Sequence, residues 1–184
     1  MSVKAELKAI IRELSYEERE VTLASGRKSN FYFDGKQTTL HARGGLLVGK
    51  AFWQEVKQFG VPVDGVGGLT LGADPIATAT SIAAQLEGFN VHAFIIRKEP
   101  KGHGTGQWLE GRKNLPPGSR VVIVEDVTTT GGSSMKAVDR AREEGLEVVG
   151  IVTLVDREEG ARQAIEGAGQ VLRAVFTKTE VVGG

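Results

Sequence analysis

The sequence has 184 residues, with 23 Lys+Arg against 23 Asp+Glu and therefore no net formal charge. Balanced charge leaves no overall field to draw the chain to nucleic acid or to an anionic membrane, and no apolar run approaches the roughly 20 residues of a membrane span. There are no cysteines, which excludes disulfides and thiolate metal sites and fits a reducing, cytoplasmic setting.

In chain order, Val3, Leu7, Ile10, Ile11 and Leu14 recur at helical spacing. Met1 to Leu14 therefore reads as a charged amphipathic helix, not a signal peptide. Across Arg19 to Lys36, Val21, Leu23, Phe31 and Phe33 alternate with polar neighbours around SGRKSN, which predicts a hairpin. A second helix follows from His41, carried by Leu46, Leu47, Phe52, Val56 and Phe59 and stopped by Gly60. From Val61 the rhythm changes. VDGVGGL, VHAFIIR, RVVIVED, EVVGIVTLVD and QVLRAVF read as strands. ADPIATATSIAAQL, Ser133 to Glu144 and EEGARQAIEGAG read as the helices between them, and Lys98 to Ser119 as one long polar loop. Strands alternating with helices predict an α/β fold: a doubly wound, mostly parallel sheet with helices on both faces. A single domain, 1–184, is expected, with a core over about 61–176 and a small N-terminal hood over about 1–60.

The chemistry concentrates in VVIVEDVTTTGGS, Val121 to Ser133. Ligands of open parallel sheets bind beyond the carboxyl ends of the strands, where Glu125 and Asp126 fall. The loop after them opens a helix, whose free N–H groups and dipole attract an anion. No Lys lies in that loop, so it is not a Walker A loop. The acids come just before the glycines in the chain, so it is not a dinucleotide fingerprint either, whose acid follows them. An anion loop beside two carboxylates suits a sugar phosphate: the loop takes the phosphate and the acids take hydroxyls, directly or through Mg²⁺.

This stretch resembles the phosphoribosyl pyrophosphate motif of the type I phosphoribosyltransferases, with Thr128 standing where an aliphatic residue is usual. RKEPKGHGTG, from Arg97, resembles the flexible catalytic loop of the orotate phosphoribosyltransferase family, pattern Arg-Lys-x-x-Lys-x-His-Gly. The resemblance implies the type I phosphoribosyltransferase fold and transfer of phosphoribose to orotate, giving orotidine 5′-monophosphate and pyrophosphate in pyrimidine biosynthesis. It assigns Arg97, Lys101, His103 and Asp126 to catalysis. Phosphoribosyl pyrophosphate would be held by Arg97, Lys98, Lys101, His103, Glu125, Asp126, Val127, Thr128, Thr129, Thr130, Gly131, Gly132, Ser133, Leu71 and Gly72. Some members have Tyr-Lys at Leu71 and Gly72, so binding there would rest on backbone amides. Orotate would meet Tyr32, Phe33, Thr129, Arg157 and Lys28; Tyr32 and Phe33 also suit a plain core role, and Arg157 a solvated helix start. Mg²⁺ is the implied cofactor, carried by the substrate with Asp126 in reach. The implied assembly is a homodimer whose loop 98–113 acts on the neighbouring subunit, with small-molecule substrates and no nucleic acid or membrane partner. A purine-base transferase shares the first motif but not the second. An RNA-binding regulator on this fold calls for a basic face, of which zero net charge gives no sign.

Overall fold

Apolar runs punctuated by glycine turns fold into alternating strands and helices. The computed structural model describes residues 2–22, 28–100 and 107–183. Helix α1 (Val3–Leu14) is capped by the Ser2 hydroxyl and buries Leu7 and Ile11. The hairpin strands β1 (Tyr16–Thr22) and β2 (Lys28–Phe33) form a separate antiparallel sheet. Helices α2 (Gly35–Thr39) and α3 (Ala42–Lys57) then lead to the core.

The core strands are β3 (Gly65–Leu69), β4 (His92–Ile96), β5 (Leu109–Glu110), β6 (Arg120–Thr128), β7 (Glu147–Asp156) and β8 (Leu172–Thr177), with order β5-β4-β3-β6-β7-β8. All pairings are parallel except β4–β5. Between them run α4 (Ala73–Leu86), α5 (Gly132–Glu143) and α6 (Ala161–Gly167), and α7 (Lys178–Val182) follows β8. From β3 the chain steps one way to β4, then returns to β6 on the other side of β3. That reversal is the switch point at which open sheets bind ligands.

The expected burial on both faces is observed. Val122, Val124 and Val152 pack with α1, α3 and α4, whereas Val121, Ile123 and Ile151 pack with α5 and α6. Strand alternation sends successive side chains into two separate cores, so both parities must be apolar.

The structure departs from the expectation in four places. The segment from Lys98 to Ser119 is not one loop: β5 pairs Ile96 with Leu109, and a 3-10 turn follows at Arg112–Asn114. Leu109 and Leu115 are fully buried and anchor that stretch. Arg112 in that turn bonds the carbonyls of Leu115 and of Glu144. The hairpin begins at Tyr16 rather than Arg19, and α2 and α7 are additional helices.

Candidate active site

Glu125 and Asp126 lie near the carboxyl end of β6, each only 8% exposed. Burial pushes the Glu125 carboxyl up to about 8, and the neighbouring Asp126 charge adds to the rise. Burial also raises Asp126, while the Lys36 ammonium pulls it back down. Glu125 is therefore largely protonated at neutral pH, a hydrogen-bond donor as well as an acceptor.

Beyond the acids, Thr128 to Ser134 wrap a small cavity of about 90 Å³ together with Glu125 and Val127. Gly131 makes the turn with φ +84°, and a Cβ on it would meet Ile165 Cγ1 at 3.0 Å. No side chain caps the N-terminus of α5. Thr128 Oγ1 is enclosed without a hydrogen-bond partner among the described residues, while the buried Ser134 hydroxyl faces the Glu125 carboxyl. Buried hydroxyls are normally satisfied. An unused hydroxyl beside an uncapped helix start suits a phosphate group.

Across the switch point, the loop after β3 carries a cis Thr70–Leu71 peptide. Thr70 Oγ1 donates to Asp74 Oδ2 at 2.8 Å and so anchors the loop to the first turn of α4. Leu71 is 66% exposed, and α4 has no side-chain cap at Gly72. Gly72 lies so close to Asp126 that a Cβ would stand 2.6 Å from Asp126 Oδ1. Gly35 also approaches it, its notional Cβ 2.9 Å from Asp126 Cβ. Two glycines thus abut the carboxylate.

On the β7 side, the Arg157 N–H donates to the Thr128 carbonyl at 2.9 Å. The Arg157 guanidinium pairs with Glu159 at 2.9 Å, and its side chain is 11% exposed. It also reaches the Phe31 carbonyl at 3.4 Å, so the hairpin is tied to the end of the main sheet. A solvated helix-start arginine does not describe it. Phe31 and Phe33 stack on one face of β2, while Tyr32 lies under the Arg19 guanidinium at 3.8 Å. Lys28 is at the far end of the hairpin and pairs with Glu20 at 2.8 Å. Arg97 follows β4 and pairs with Glu110 at 2.7 Å, and Lys98 is exposed. Lys101 and His103 lie outside the described residues.

Lys36, which the sequence reading did not include, stands within electrostatic reach of Asp126 and 2.8 Å from Asp34. Among the described residues, no three metal-binding side chains cluster, and no helix is long and apolar enough to cross a membrane.

A phosphate-sized cradle and two buried acids at the switch point of a parallel sheet are features of the phosphoribosyl transferase class, and the model of that domain matches residues 36–179. Orotate phosphoribosyltransferase from Aquifex aeolicus is 48% identical over 160 residues, 87% of this chain and 85% of that protein. Orotate phosphoribosyltransferase from Mycobacterium tuberculosis, in complex with Fe(III) dicitrate, matches with a TM-score of 0.85 at 40% identity, covering 98% of this chain and 99% of that one. The same enzyme in complex with phosphoribosyl pyrophosphate matches with a TM-score of 0.81 at 39% identity and the same coverage. The chain belongs to the orotate phosphoribosyltransferase family.

Proposed function

We propose that the chain transfers the phosphoribosyl group of phosphoribosyl pyrophosphate to orotate, a step of pyrimidine nucleotide synthesis in the cytoplasm. The bond from ribose C1 to the pyrophosphate oxygen breaks, and its electron pair leaves with pyrophosphate. Orotate N1 forms the new bond to C1 and gives up its proton. The observation that carries the reading is the phosphate-sized cradle of Thr128 to Ser134 at an uncapped helix start, with the Thr128 hydroxyl unused, next to Glu125 and Asp126.

In this reading Thr128 to Ser133 hold the 5′-phosphate. Glu125 and Asp126 hold the ribose hydroxyls, Glu125 as donor where its proton is retained. Leu71 and Gly72 offer backbone N–H groups to the diphosphate at the start of α4. Arg97, Lys98, Lys101 and His103 neutralise the leaving group, with Lys101 or His103 as proton donor. Arg157, already aimed at the hairpin, meets the orotate carboxylate beside Tyr32, Phe33 and Thr129. Lys28, paired with Glu20, stands at the other end of the hairpin from that cluster. Mg²⁺ fits the donor set: Asp126 supplies one hard oxygen ligand, and Mg²⁺ usually takes one or two carboxylates plus substrate phosphates. When bound it would offset charge on the diphosphate.

The enzyme is a homodimer in this reading, with loop 98–113 acting on the neighbouring subunit. Support comes from an apolar pocket of about 540 Å³ lined by Leu46 of α3 and by Ala79, Ile82 and Leu86 of α4. Ile82 and Leu86 are 56% and 76% exposed there, an apolar face of the kind a second copy covers. The decisive experiment follows orotate absorbance with phosphoribosyl pyrophosphate and Mg²⁺. Loss of orotate with matching release of pyrophosphate supports the assignment, and no consumption overturns it.

A further inference from the structure

We infer that Lys36 is a further substrate-binding residue, one that meets the diphosphate group of phosphoribosyl pyrophosphate on the β3 side of Asp126. The inference rests on the function proposed above and adds a cation from α2 to the backbone groups of Leu71 and Gly72 and to the cations that follow β4.

The position follows from three contacts. Gly35, the preceding residue, lies against Asp126. Lys36 itself lines a pocket with Leu71 and Asp74, so its side chain runs beside the loop that follows β3. Gly72, in that loop, abuts the same carboxylate. Residue 72 thus has no room for a side chain toward Asp126. A cation for this corner has to arrive from another element, and α2 supplies it.

The side chain is oriented but not used up. Its Nζ is 2.8 Å from Asp34 Oδ1, and the side chain remains 44% exposed. Asp34 is fixed in turn, accepting from the Lys36 N–H and from Gln37 Nε2, both at 3.2 Å. An ammonium has three N–H donors, so the Asp34 bond leaves two for a ligand. Charge points the same way. A diphosphate bound at the start of α4 brings negative charge beside Asp126 and Asp34, which repel it. A positioned ammonium offsets that repulsion, and its field already acts on Asp126. The 5′-phosphate cradle lies on the other side, at the start of α5, so Lys36 serves the leaving group.

The test is Lys36→Ala with Lys36→Arg as its conservative partner. The KM for phosphoribosyl pyrophosphate and the dissociation constant for inorganic pyrophosphate with Mg²⁺ should each rise roughly ten- to a hundredfold, the effect of one charged hydrogen bond. Orotidine 5′-monophosphate, which carries no diphosphate, should bind Lys36→Ala within about twofold of wild type, and Lys36→Arg should recover most of the pyrophosphate affinity. Unchanged pyrophosphate binding overturns the inference. So does equal weakening of orotidine 5′-monophosphate, which would make Lys36 a structural part of α2. Pyrophosphate calorimetry needs no turnover, so it reads Lys36 separately from the orotate assay that tests the function itself.

Discussion

Glu125 combines a buried carboxyl with a neighbouring acid, and both disfavour its charged form. Its folded pKa of about 8 lies above the ordinary 4.5, so the folded state holds a proton that the unfolded state releases. The stability from that proton is fully present below the ordinary value and is lost as pH rises toward about 8. The melting temperature of the ligand-free protein should therefore fall between pH 5 and 8.5, with Asp126 acting in the same direction. Calorimetry across that range checks it, and Glu125→Gln should flatten the slope. An equally steep slope in the variant would assign the effect to other groups. Arg157 makes a second prediction at this scale. If it meets the orotate carboxylate, Arg157→Ala should raise the orotate KM roughly ten- to a hundredfold, with the phosphoribosyl pyrophosphate KM little changed. Equal increases for both substrates would make Arg157 a tie between hairpin and sheet rather than a ligand.

At the level of elements, charge also joins distant segments. Glu55 on α3 is 8% exposed. It binds Lys4 of α1 at 3.1 Å and Arg173 of β8 at 2.9 Å. Glu55→Ala would strand two cations, although both are partly solvated, so the expected loss is about 1–3 kcal/mol. The denaturant midpoint should drop accordingly, while turnover in native buffer stays near wild type; lost turnover in folded protein would contradict the placement of Glu55 outside the site. The elements differ in how much of themselves they show in sequence. The parallel strands were legible because burial on two faces requires unbroken apolar runs such as Val121 to Val124. Helix α2 was not, because its five residues GKQTT carry no apolar period; the Asp34 cap and burial of Thr38 and Thr39 hold it. Strand β5 has two residues, too few to show alternation. Helix α7 did carry a signal: Thr177 and Glu180 form a capping box at the spacing of that motif. The phosphate cradle and the acids are contiguous in sequence and were legible for that reason. Lys36 was hidden because nothing in linear spacing ties residue 36 to residue 126. Their proximity exists only once α2 packs over the switch point.

At the scale of the whole molecule, the exposed apolar face of α4 and the loop from Lys98 lead to one prediction. If the loop serves a partner's site, two defective chains should rescue each other. Lys101→Ala removes a loop cation and leaves its own sugar site intact. Asp126→Asn disables the sugar site and leaves its own loop intact; Asn can still accept the Val127 N–H that Asp126 Oδ1 takes at 2.9 Å, so the fold should persist. Each homodimer should be slow, with Lys101→Ala reduced roughly 10²–10⁴-fold in kcat, the usual size of one charged or acid–base contribution. Mixed in equal amounts by unfolding and refolding, the chains pair at random, and about half of the dimers are heterodimers. In each heterodimer one site combines both defects, and the other combines an intact sugar site with an intact loop. Activity should therefore recover to about a quarter of wild type. No recovery, with heterodimers demonstrated by mass, would place the loop over its own subunit's site. Recovery that Leu86→Glu abolishes, together with dimerisation, would locate the shared interface on the apolar face of α4.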